Sequence, residues 1–164
     1  MLEYIYESMA TDKGYTAVCG VDEAGRGPLL GPVYAAAVIL PPGLVIEGLN
    51  DSKKLTEKKR EYLFDIIKNE AVAWGIACAD AVEIDRMNIL NATMLAMQRA
   101  IDALGVKADF ALIDGNCNRN INIPSVTVVK GDATSPSIAA ASVLAKVSRD
   151  RLCLEIDKNI RNAA

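Results

Sequence analysis

The chain has 164 residues, 51% of them hydrophobic and 24% charged, with a formal net charge of −3. That length accommodates one domain with a substantial core, and the balance is ordinary for a water-soluble globular protein. There is no histidine, which excludes Ser-His-Asp and Cys-His catalysis and every histidine-bearing zinc site; a hydrolase built on this chain relies on carboxylates and metals.

Cys19, Cys78, Cys117 and Cys153 are widely spaced and form no C-x-x-C pair, so free thiols are expected rather than a disulfide framework or a thiolate metal site. Met1-Leu2-Glu3-Tyr4 carries no basic segment followed by an apolar one, and no apolar run reaches transmembrane length. The expectation is a cytoplasmic protein.

In chain order, the first strand covers Ala17 to Asp22 and runs into Glu23-Ala24-Gly25-Arg26-Gly27-Pro28. Side chains alternate along a strand, so Asp22 and Glu23 cannot both face water from one flat sheet surface. Two anions at the end of a buried strand cost desolvation unless a cation sits there, and oxygen ligands suit magnesium or manganese. Gly25 and Gly27 allow the backbone close to a ligand, and Arg26 offers charge to a phosphate. Because no Gly-Lys-Ser/Thr follows, this is not a phosphate-binding P-loop, and Pro28 leads toward a strand rather than the helix of a dinucleotide fingerprint.

A second strand, Val33 to Leu40, ends at Pro41-Pro42-Gly43. Thr56 is placed to cap a helix reaching about Glu70, with Leu63, Ile66 and Ile67 on its apolar side. Ala71 to Ala79 reads as a third strand. Leu90, Met94, Met97, Ile101 and Leu104 recur at helical spacing, a stripe suited to core packing. Phe110 to Ile113 and Val126 to Val129 are short strands ending at Asp114-Gly115 and Lys130-Gly131-Asp132, and a last helix spans Ser135 to Asp157. This order describes an α/β domain, a mixed five-stranded sheet flanked by helices, whose ligands bind beyond the carboxyl ends of parallel strands.

Asp22, Asp114 and Asp132 all fall at or just past such ends, with Glu23 adjacent to the first. An aspartate beside a glycine is also an ordinary turn former. Four carboxylates at equivalent ends nevertheless match the need of two-metal phosphoryl hydrolysis, in which ions about 3.5–4 Å apart activate water and stabilise the leaving oxygen. On the last helix Ser142, Lys146 and Arg149 share a face that suits a phosphate backbone; a plain Lys146–Asp150 pair on a solvated face fits equally well. Lys53 and Lys54 could meet phosphates too, although such charge runs are commonly just solvated.

These residues resemble the ribonuclease HII family. Gly20-Val21-Asp22-Glu23-Ala24-Gly25-Arg26-Gly27-Pro28 with Gly31-Pro32-Val33 matches its opening motif. Asp51-Ser52-Lys53-Lys54-Leu55, Asn88-Ile89-Leu90, Met97-Gln98-Arg99-Ala100, Asp114-Gly115, Lys130-Gly131-Asp132-Ala133 and Ala139 through Val147 follow in family order. The resemblance covers roughly residues 17 to 157 and implies a ribonuclease H-like fold and cleavage of RNA in RNA–DNA hybrids, with residues 1–164 expected to form a single catalytic domain. It also implies incision at ribonucleotides embedded in duplex DNA, with Mg²⁺ or Mn²⁺ and 5′-phosphate products.

By the same resemblance Asp22, Glu23, Asp114 and Asp132 are the catalytic, metal-binding carboxylates. Gly25-Arg26-Gly27 reads the ribose 2′-hydroxyl, and Lys53, Lys54, Ser142, Lys146 and Arg149 contact phosphates. Family members usually continue past the last helix into a tail bearing a tyrosine; here the sequence stops at Arg161-Asn162-Ala163-Ala164. A monomer is expected. The competing readings are another metal nuclease of the same fold, such as a junction resolvase, and a truncated domain that grips hybrids without cutting them.

Overall fold

The computed structural model describes residues 1–25 and 31–163. Helix α1 (Ile5–Asp12) leads into strand β1 (Val18–Ala24) and then β2 (Val33–Ile39). Helix α2 (Glu57–Glu70), strand β3 (Ala73–Ala79) and helices α3 (Ala81–Met87) and α4 (Ile89–Asp102) follow. Strands β4 (Phe110–Asp114) and β5 (Ser125–Val128) then precede the long helix α5 (Pro136–Ala163). The strands form one five-stranded sheet in the order β3-β2-β1-β4-β5. β1, β2 and β3 pair antiparallel, while β4 runs parallel to β1 and β5 parallel to β4. The mixed sheet flanked by helices is the architecture expected.

Alternation along the strands divides the core between two faces. Cys19, Val21, Ala35, Ala37 and Ile113 pack on one side with Ala92, Met94, Met97 and Ile101 of α4, so the methionine stripe is core packing. Ala36 and Val38 meet Leu63, Phe64 and Ile67 of α2 and Val143, Leu144 and Val147 of α5 on the other. Each fully buried Leu or Ile here contributes about 1.5–3 kcal/mol relative to exposure. Burial pushes the Cys19 thiol up to about 12, which makes it an inert apolar filler.

Two glycines set how closely helices approach the sheet. A Cβ on Gly20 would lie 2.3 Å from the Ser137 carbonyl carbon, and one on Gly75 2.3 Å from the Ala100 carbonyl oxygen. Helix α5 therefore lies directly on β1, and α4 on β3.

Local chemistry accounts for the element ends. Thr56 Oγ1 accepts the Lys59 N–H at 3.1 Å and starts α2. The third strand begins two residues later than expected because Ala71 is still the C-terminal cap of α2. β1 runs two residues past Asp22, since Glu23 and Ala24 pair with Ala35 and Tyr34. Helices α1 and α3 were not anticipated. The signal for α3 was present as Asp80 and Glu83, which form a capping box immediately after β3.

Candidate metal centre and nucleic-acid cleft

Gly20 and Asp22 of β1 share the face covered by α5, as do Leu112 and Asp114 of β4. The parallel register pairs Gly20 with Leu112 and Val21 with Ile113, so the next position on each strand is an aspartate on the same face. The third acidic residue arrives on a 3-10 turn, Gly131–Ala133, after β5. Lys130 enters that turn in the left-handed region (φ 55°), and the Asp132 N–H donates to Asp114 Oδ1 at 3.2 Å. One carboxylate oxygen from each of Asp22, Asp114 and Asp132 lies within 4.8 Å of the others.

Glu23 stands beside this trio. It is half-buried, lines the same cleft, and donates its backbone N–H to Asp22 Oδ1 at 2.8 Å. The cleft, about 350 Å³ in volume, is further lined by Ala24, Gly25, Ser52, Lys53, Ser142 and Lys146.

Crowding of buried like charges shapes the electrostatics. Asp22 is 4% exposed; burial first, then the charges of Glu23 and Asp114, hold its carboxyl well above the ordinary range. Burial, reinforced by Asp114 and Asp51, raises Asp132 to about 6, and the Lys53 ammonium 3.9 Å away partly opposes the rise. Lys53 is raised in turn by Asp132. A buried, oxygen-only donor set that repels itself this strongly fits a hard divalent cation such as Mg²⁺ or Mn²⁺.

The expected phosphate contacts divide. Lys53 and Lys146 line the cleft; Lys146 Nζ also pairs with Asp150 at 3.0 Å and remains 43% exposed. Lys54 lines a separate hollow beside Leu49, Asn50 and Pro136. Ser142 and Arg149 are each 3% exposed, so of the face they share only Lys146 stays open to solvent. Ser142 Oγ shares a hydrogen bond with Ser52 Oγ (2.5 Å). Arg149 packs against Gly25, its Nε 2.7 Å from where a Gly25 Cβ would stand. Gly25 adopts φ +93°, a conformation natural only to glycine. Arg26 and Gly27 lie outside the described residues.

Two contributors were missed from sequence. Ser52, 5% exposed, ties its 3-10 turn to α5, and Asp51 caps that turn and adds negative charge at Asp132. The Asp-Ser preceding the two lysines was the available signal, a favoured start for a turn.

Comparison with known proteins agrees with this geometry. The family model described as Ribonuclease HII matches residues 19–163. The chain belongs to the ribonuclease HII family. It is 56% identical over 151 residues to the ribonuclease HII of Geobacter sp. (strain M21), covering 92% of this chain and 66% of that protein. Over 133 residues it is 65% identical to the ribonuclease HII of Dechloromonas aromatica (strain RCB), covering 81% of this chain and 68% of the relative. The crystal structure of the ribonuclease H2 from Pyrococcus horikoshii OT3 superposes with a TM-score of 0.72 at 26% identity, covering 87% of this chain and 76% of the other. The fold is ribonuclease H-like. The chain spans about two thirds of the length of the curated relatives it matches.

Proposed function

We propose that this chain is a metal-dependent endoribonuclease that cleaves the RNA strand of RNA–DNA hybrids and incises duplex DNA at embedded ribonucleotides. The observation that carries the reading is the convergence of Asp22, Asp114 and Asp132 within 4.8 Å, in a cleft that also holds Lys53 and Lys146. Family membership supports the substrate class.

In this reading Asp22, Asp114 and Asp132, with Glu23 at the edge, hold Mg²⁺ or Mn²⁺; when bound, such ions lower the pKa of water and stabilise charge on phosphate oxygens. The chain's own groups do the rest. The lysines flanking the carboxylates receive the phosphates on either side of the scissile bond. Gly25, continuing into Arg26 and Gly27, brings backbone close to the sugar, where the 2′-hydroxyl distinguishes RNA from DNA. The strands beneath the cleft hold the carboxylates without reorganisation. Cleavage leaves a 5′-phosphate and a 3′-hydroxyl. A monomer acting in the cytoplasm completes the proposal.

The test is incision of a labelled DNA duplex containing one ribonucleotide, with Mg²⁺ and with Mn²⁺, beside an all-DNA duplex and an Asp114→Asn control. Cutting at the ribonucleotide by the unmodified chain alone is expected. Cutting of the all-DNA duplex would point to a different nuclease of this fold, and binding without cutting would point to a hybrid-gripping domain.

A further inference from the structure

Glu7 is a buried acidic residue far from the metal centre in sequence, and it sits on α1, which contributes no residue to the cleft. One carboxylate oxygen, Oε2, accepts hydrogen bonds from Ser135 Oγ at 2.8 Å and from the Ser137 N–H at 3.1 Å. Both serines are almost completely buried. Ser135 Oγ in turn accepts the Ile138 N–H at 3.2 Å. The second anchor from the same segment is the Glu3 N–H, which donates to the Thr134 carbonyl at 3.0 Å.

These contacts satisfy the first donors of α5, since Pro136 has no N–H, Ser137 meets Glu7 and Ile138 meets Ser135. An anion at that end also complements the helix dipole. Their position matters for a second reason. Ser135 lies three residues after Asp132, and the Thr134 and Ser135 N–H groups both donate to the Gly131 carbonyl (3.0 and 2.7 Å). The turn carrying Asp132 is therefore clamped from both sides, by Asp114 at the metal centre and by Glu7 from α1.

We infer that Glu7 is a positioning residue for the metal centre, setting the place of Asp132 through Ser135 and the start of α5. This rests on the reading of Asp132 as a metal ligand. Outer partners that hold a ligand in place typically change metal affinity about 10–100-fold when removed.

The experiment is calorimetric titration of the metal-free full chain with Mn²⁺, beside steady-state cleavage and thermal melting, for wild type, Glu7→Ala, Glu7→Gln, Asp132→Ala and the Glu7→Ala/Asp132→Ala double variant. Folded Glu7→Ala should bind Mn²⁺ about tenfold more weakly and lose kcat with KM for the hybrid unchanged. Glu7→Gln, whose amide oxygen accepts the same two hydrogen bonds, should recover most of that loss. In the Asp132→Ala background Glu7→Ala should add nothing, because both act through one ligand. Folded Glu7→Ala with wild-type Mn²⁺ affinity, or an equal further loss without Asp132, would overturn the inference. Should Glu7→Ala fail to fold, Ser135→Ala is titrated instead, and unchanged Mn²⁺ affinity there overturns it. A wild-type chain that binds no Mn²⁺ would remove the metal centre itself and this inference with it, a result read before any variant is made.

Discussion

Asp22 and Asp114 stand side by side one step beyond Val21 and Ile113, the last residues that β1 and β4 pair with each other. The strands are parallel and in register, so both side chains emerge on the face covered by α5, where Asp22 is almost fully buried and Asp114 half so. Two carboxylates held there without a cation repel one another, and the Asp22 carboxyl is displaced upward by burial first and then by the charges of Glu23 and Asp114. A site arranged this way trades stability of the metal-free protein for affinity toward a cation.

Replacing Asp22 by Asn should therefore do two opposite things. If Asp22 is the metal ligand proposed above, cleavage falls below detection. The metal-free protein, relieved of one buried charge, melts higher by about 2–4 °C for each kcal/mol of repulsion removed. Calorimetric melting in chelator, alongside the cleavage assay, checks both, and a lower melting temperature would contradict the account.

The Ser52–Ser142 hydrogen bond joins the Lys53-bearing turn to α5 inside a buried seam. Either Ser→Ala change leaves the other hydroxyl without that partner, at a cost of about 1–3 kcal/mol. The double variant should cost less than the sum of the two, since it strands neither hydroxyl. Urea unfolding of the four proteins measures the coupling; additive losses would mean the bond carries no net stability.

Gly20→Ala tests the seat of α5. The added Cβ meets backbone at 2.3–2.4 Å, which no side-chain rotation relieves. A loss of roughly 1–3 kcal/mol or more is expected in urea unfolding, together with reduced cleavage as the helix carrying Ser142 and Lys146 is pushed away from β1.

Lys53 is 82% exposed at its side chain while reaching toward Asp132. If it receives a substrate phosphate, Lys53→Ala should weaken hybrid binding and lower the slope of log affinity against log salt by about 0.9. Fluorescence anisotropy in Ca²⁺ over a salt series reads this, and an unchanged slope would assign Lys53 only to the charge balance of Asp132.

Away from the cleft, the Arg99 guanidinium and the Asp80 N–H hold the Glu83 carboxyl down to about 2, from an ordinary 4.5. A lowered folded-state value means stability that is present above 4.5 and lost as pH falls from there toward 2. Acid unfolding of Glu83→Gln should accordingly lack that portion of the pH dependence. An identical acid limb would show the pair to be fully screened.

The strands, the amphipathic helices α2 and α4, and the acidic residues that β1, β4 and the turn after β5 carry toward one end of the sheet are legible in the sequence. Periods of two and 3.6, glycine and proline punctuation and the run from Gly20 to Pro28 are local signals, and local signals survive without knowledge of neighbours. Which of those residues meet depends on how the elements pack. That packing gathered Asp22, Asp114 and Asp132 tightly and left Glu23 beside them. It turned Ser142 and Arg149 inward although their spacing suggested an open face, placed Lys54 outside the cleft, and brought in Ser52, Asp51 and Glu7. The physical reason lies in distance along the chain: Ser52 and Ser142 are 90 residues apart, and Glu7 and Ser135 are 128. A helix face records that it is polar; whether water, a serine or a metal-bound phosphate satisfies it depends on the element packed against it.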